Sequence, residues 1–204
     1  MTGAAPARPT VVVDVDPPAW LIVPPADMAS GPWREAAAAL FAFSDEVDRT
    51  GGVTPPVLDV DGALDGLLAM AATLGETSRL AAGFSVPGAW PLPVVVDAGL
   101  TGDDAPDLLD LGRARGGSPL EAPLIDELPD DVGPGVVVTR FDLDLEGRVW
   151  VTVTAAARRD GLDVTTTWRS TDLGLVPLQT PAVVELAGRV RLVDRADDLQ
   201  ETTR

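Results

Sequence analysis

From Gly135 to Trp168 apolar and polar residues alternate along successive stretches, and a period of two is the signature of extended strands. Val137, Phe141, Leu143 and Leu145 mark the first run, Val149, Val151 and Val153 the second, and Leu162, Val164, Thr166 and Trp168 the third. Glu146-Gly147 separates the first two, and Asp160-Gly161 is a stronger hairpin signal before the third. The spacing predicts three consecutive antiparallel strands in a meander. Such a meander needs other elements to cover it, so the rest of the chain is read for helices and further strands.

Residues 1–10 read as a leader broken by Pro6 and Pro9. Val11-Val12-Val13 suits a short edge strand, and Trp20–Val23 a second strand closed by Pro24-Pro25. Ser30 suits a helix N-cap with Pro32 in the first turn, and Trp33, Ala37, Leu40, Phe41 and Val47 give helical spacing over 31–48. A second helix is predicted over about 61–74 with Asp61 as its cap, and strands over Arg79–Val86 and Pro93–Leu100. A third helix is expected over roughly 105–115, capped by Asp104, and a last one from Thr180-Pro181 with Val183, Leu186, Ala187 and Val190 on one face. Residues 194–204 read as a polar tail. Without repeat or linker, 11–193 reads as one α+β domain, an antiparallel sheet packed by helices.

The side-chain inventory narrows the chemistry. The chain has no histidine, cysteine, lysine, tyrosine or asparagine, and all fifteen basic residues are arginine. A high-GC genome accounts for the loss of Lys, Asn and Tyr, but His and Cys have GC-rich codons. Without those two there is no imidazole base, no thiolate and no ordinary ligand set for zinc, iron or copper. A serine hydrolase lacks its base, since no His or Lys stands ready to activate Ser85 or Ser118. Gly133-Pro134-Gly135 is a turn, not a phosphate loop. No catalytic residue, metal ligand or cofactor is assigned.

Asp142-Leu143-Asp144-Leu145-Glu146-Gly147 imitates the first half of a calcium loop, but its twelfth position is Val153 and the closing bidentate Glu is missing. The hairpin reading accounts for the same residues. Asp59-Val60-Asp61-Gly62 and Thr101-Gly102-Asp103-Asp104 read as loops with caps.

A formal charge of −17 argues against DNA, RNA and anionic membrane surfaces as partners. It suits solubility, and also a face for a basic protein partner. No run of eighteen apolar residues and no signal-peptide pattern is present, so a cytoplasmic chain is expected.

Among five tryptophans, Trp20 and Trp33 read as core and Trp90 as a loop residue between Gly88 and Pro91. Trp150 alternates away from Val149 and Val151. With the valine face as core, Trp150 lies on the other face with Arg140 and Arg169. Exposed Trp beside Arg is the composition of a protein-binding hot spot, so Trp150, Arg140, Arg169 and Trp90 are the candidate binding residues. The alternative is that the last helix covers this face and buries Trp150.

Pro18-Ala19-Trp20 before a strand, Ala82-Gly83-Phe84-Ser85-Val86 followed by Val94-Val95-Val96, the Val136–Trp168 meander and the helix from Pro181 together resemble the PsbP-like α/β sandwich. Ala19 stands where that family usually has Gly. The resemblance spans most of residues 18–193 and rests on element order. It implies a non-enzymatic domain that acts by binding proteins, as in photosystem extrinsic subunits, a Ran-binding protein and small actinobacterial proteins. Among the last are LpqN-type lipoproteins, whose lipobox cysteine this chain lacks, and accessory factors of secretion systems. The expected function is therefore a protein-binding accessory or adaptor domain, possible in a secretion or toxin system. The rivals are an acidic immunity protein that neutralises a basic toxin, and a carboxylate-only hydrolase or weak divalent-cation binder.

Overall fold

The computed structural model describes residues 10–193 except 17, 58, 85 and 116, so the expected tail and most of the expected leader lie outside the described residues. Thr10 already belongs to a strand, β1 (Thr10–Val13), followed by β2 (Trp20–Val23). Two helices come next, α1 (Gly31–Thr50) and α2 (Val60–Ala71), then β3 (Ser78–Gly83) and β4 (Leu92–Leu100). After α3 (Leu108–Leu111) the chain forms β5 (Leu124–Glu127), β6 (Gly135–Leu143), β7 (Val149–Arg159) and β8 (Leu162–Ser170). It ends in α4 (Val176–Gly188) and β9 (Val190–Val193).

Seven strands form one sheet in the order β2-β3-β4-β8-β7-β6-β5, with every neighbouring pair antiparallel. The expected meander is its β6–β7–β8 half. At the Asp160-Gly161 turn both residues adopt positive φ, 52° and 72°, which matches the right-handed twist of the strands it joins. β1 pairs with β9 in a separate two-stranded ribbon.

Each face of the sheet carries its own core. Val94, Val96, Val151, Val153, Val164 and Trp168 lie under α4, which contributes Val183, Leu186 and Ala187. The hydroxyl of Thr166 on this face donates to the Val183 carbonyl at 2.7 Å, tying helix to sheet. Leu21, Val23, Leu80 and Ala82 face the other way, against Phe41 of α1 and Leu64, Leu67 and Leu68 of α2. Each fully buried Leu or Val stabilises the fold by roughly 1.5–3 kcal/mol. The molecule is an α+β sandwich.

Several boundaries differ from expectation for local reasons. α2 is capped by Asp59, whose carboxylate accepts from Gly62 N at 3.2 Å, and Asp61 falls inside the first turn. α3 is a single turn capped not by Asp104 but by Asp107, whose carboxylate accepts from Asp110 N at 2.8 Å, and Arg113 turns left-handed at φ 58° just beyond its end. α4 begins at Val176, fed by a 3-10 turn over Leu173–Leu175, and holds Pro181 in its interior instead of at its start. Val190 belongs to β9, a strand too short to register as an alternating pattern.

Candidate interaction surface

β7 and β8 place Trp150 and Arg169 on the same face of the sheet, because Trp150, Thr152 and Thr154 alternate with the buried Val151 and Val153. Thr152 pairs with Arg169 across the strands, and the next residue of β7 on the same face, two positions toward the strand end, is Trp150. The Arg169 guanidinium lies over the Trp150 ring, 4.4 Å from its centroid. Among the described residues no carboxylate forms an ion pair with Arg169, and the residue is exposed.

The other edge of the indole is fixed from below. Trp150 Nε1 donates to Asp144 Oδ2 at 3.0 Å. Asp144 also accepts from the backbone N–H of Glu146 and Arg148, each at 2.9 Å, and from Arg148 Nε at 2.8 Å. Gly147, at φ 78°, lets the chain reverse so that these donors converge. The Trp150 hydrogen bond, then those from the Arg148 and Glu146 backbone and the Arg148 side chain, hold the Asp144 carboxyl well below the usual carboxylate range. What reads as half a calcium loop is thus an Asx-type turn whose aspartate is occupied by nitrogen donors.

α4 covers the opposite face, so the helix-burial alternative for Trp150 does not hold. Trp150 is half-buried, by Arg169 and the 144–148 turn. Arg140 shares the face, yet it is an anchor and not part of an open surface. Its side chain is only 13% exposed, and it donates to the Arg113 carbonyl at 2.8 Å and to Asp142 Oδ1 at 2.9 Å. A side chain at Gly117 would press on this guanidinium, so the segment after α3 is laid directly over Arg140. Trp90 is 47% exposed in the β3–β4 loop. That loop is tethered by Asp48 of α1, a buried residue whose Oδ2 accepts from Gly88 N at 2.9 Å.

The antiparallel register sets the start of β4 and β7 and the end of β6 and β8 at one end of the sheet. Trp90, Trp150, Arg169 and the exposed Leu143, Leu145 and Leu173 all belong to that end. Of the organising residues, Asp144 was read only as part of a calcium-loop look-alike, and Asp48 was not singled out by sequence reading. The signal for Asp144 was an Asp three residues before a turn glycine; Asp48 left none.

Among the described residues no group of three or more acidic side chains could hold a metal ion. No helix among them is long and apolar enough to cross a membrane. The chain matches no protein-family model and no curated protein. A solved structure from Bacteroides thetaiotaomicron is similar at 10% identity and a TM-score of 0.35, covering 60% of this chain and 41% of that one.

Proposed function

We propose that this chain is a non-enzymatic protein-binding accessory domain whose partner docks on the Trp150–Arg169 end of the sheet. One observation carries the reading: the half-buried Trp150 ring and the exposed Arg169 guanidinium, which has no carboxylate partner among the described residues, are stacked 4.4 Å apart. Pre-organised Trp and Arg lose little side-chain freedom on association, which is what makes such pairs strong anchors. The PsbP-like resemblance fits the same reading, and with it a partner from an actinobacterial secretion or toxin system. The carboxylates that gather donors, Asp144, Asp163 and Asp107, are held ionised by hydrogen bonds from Trp150, Arg158 and the Asp110 backbone respectively. A carboxyl held far below neutrality is a poor general acid, which weighs against the hydrolase reading.

The test is affinity capture from the native host with wild type and Arg169→Glu side by side. Wild type is expected to recover a stoichiometric protein and the variant at least tenfold less. Equal recovery by both would refute the surface. The charge of −17 favours a second reading, an immunity-type protein steered onto a basic toxin. There the association rate with the captured partner should fall steeply as salt rises; a salt-independent rate would dismiss it.

A further inference from the structure

The sheet ends in an open strand. β5 is the last strand of the sheet on the β6 side, and all four of its residues are exposed, Leu124 at 56% and Ile125 at 48%. Leu128 N donates to Gly135 O at 3.1 Å, which fixes the phase of the β5–β6 ladder. Counting back by twos, Leu124 and Asp126 bond inward to β6, so Ile125 and Glu127 point their N–H and C=O groups away from the sheet. Among the described residues nothing pairs with them.

A groove of about 650 Å³ opens beside this edge, between α4 and the β5–β6 connection. Its apolar lining comes from Pro129, Val132, Val137, Pro181 and Val184. Glu127, Asp131 and Glu185 stand around it, against Arg189 as the one cation, which already pairs with Glu185 and Asp16. Asp126 lies on the same side of β5 as Val137, its partner in register.

We propose that this edge accepts an extended segment of a partner protein as an eighth strand, one whose side chains combine apolar and basic character. The outward backbone groups of Ile125 and Glu127 supply the hydrogen bonds, the groove takes an apolar side chain, and the surrounding carboxylates take arginine or lysine. Two other occupants are disfavoured by charge. A second copy would bring Asp126 and Glu127 against their own kind, on bodies each carrying −17. The chain's own residues 194–204 hold Asp194, Asp197, Asp198 and Glu201 against only Arg195 and Arg204.

This inference rests on the protein-binding reading but not on the Trp150 surface, from which the α4 groove is separated by the sheet. The probe is a labelled repeating Arg-Val peptide titrated into the full chain at near-physiological salt, beside the same peptide N-methylated at alternate residues. Ile125→Pro removes one outward donor and none from the β6 ladder, a place where an edge strand tolerates proline. Glu185→Arg reverses the rim charge at an exposed site. The wild type should bind the Arg-Val peptide at least tenfold more tightly than its N-methylated form. Ile125→Pro and Glu185→Arg should each weaken it about tenfold while keeping the wild-type thermal midpoint. Arg169→Glu should stay within twofold of wild type. Undiminished binding by Ile125→Pro, or equal binding of the N-methylated peptide, would overturn strand addition and leave the host-capture result standing. A concentration-dependent dimer abolished by Ile125→Pro, or peptide binding seen only after removal of residues 194–204, would overturn the choice of occupant.

Discussion

Asp144 shows how a single side chain can be misread and then understood. In sequence it looks like a water-facing or calcium-loop carboxylate; in the fold it gathers the backbone of its own turn and the indole of Trp150. Its folded pKa is depressed, so its contribution to stability is complete above the ordinary aspartate pKa of about 3.9 and is lost as pH falls through the folded value. Asp163, held down first by its hydrogen bond from Arg158, acts in the same direction. Urea midpoints should therefore drop on acidification below about pH 4, and the gap between wild type and Asp144→Asn should narrow as they do. A gap that widens in acid would contradict the assignment. Arg159 offers a second test at this scale, since its guanidinium donates to the carbonyls of Val132, Ala187, Gly188 and Val190 within 2.9 Å. Those carbonyls include the C-terminal end of α4, where a cation is favoured. Arg159→Met should cost about 3 kcal/mol in chemical denaturation, because several buried acceptors lose a charged donor. Trp150 and Arg169 were legible by alternation alone; the anchoring role of Arg140 was not, because it depends on a loop that crosses the sheet from outside the strand.

At the level of elements, what could be read were long periodic runs with clear turn signals. The β6–β7–β8 meander and α1, with its Ser30 cap, stand where the residues place them. Of the four-residue strands, β1 and β2 were legible as unbroken apolar runs, whereas β5, which mixes Leu124-Ile125 with Asp126-Glu127, and β9, which carries Arg191, were not. Pro181 misled because proline is commoner in a first turn than in a helix interior, whereas here Pro177 occupies the first turn. Tight approach explains one glycine that looked like mere turn material. A Cβ at Gly135 would collide with the Ala156 carbonyl and the Leu128 side chain. Gly135→Ala should destabilise the protein by about 2 kcal/mol or more, read as a lower denaturant midpoint. A midpoint equal to wild type would mean that β6 does not start where the register puts it.

For the whole molecule, the two-faced burial of the sheet and the missing residue types act together. α4 covers one face of the sheet and α1 and α2 pack on the other, while β5 stays exposed at the sheet's edge. With no His, Cys, Lys or Tyr, no side-chain type in the chain has an ordinary pKa between those of Glu and Arg. Folding stability should consequently stay flat from about pH 6 to pH 9, and a marked slope in thermal midpoint across that window would point to a group displaced far from its usual range. The α+β class was legible from element order, while the pairing of β4 with β8 across the sheet was not, since nothing local encodes which distant strand becomes a neighbour. The most direct check on a partner-binding role is hydrogen exchange of the wild-type protein alone and with its captured partner bound. Slower exchange in the 144–150 turn and at 168–170 is the expected footprint. Protection confined to α1 and α2, with the Trp150 end exchanging as in the free protein, would contradict it.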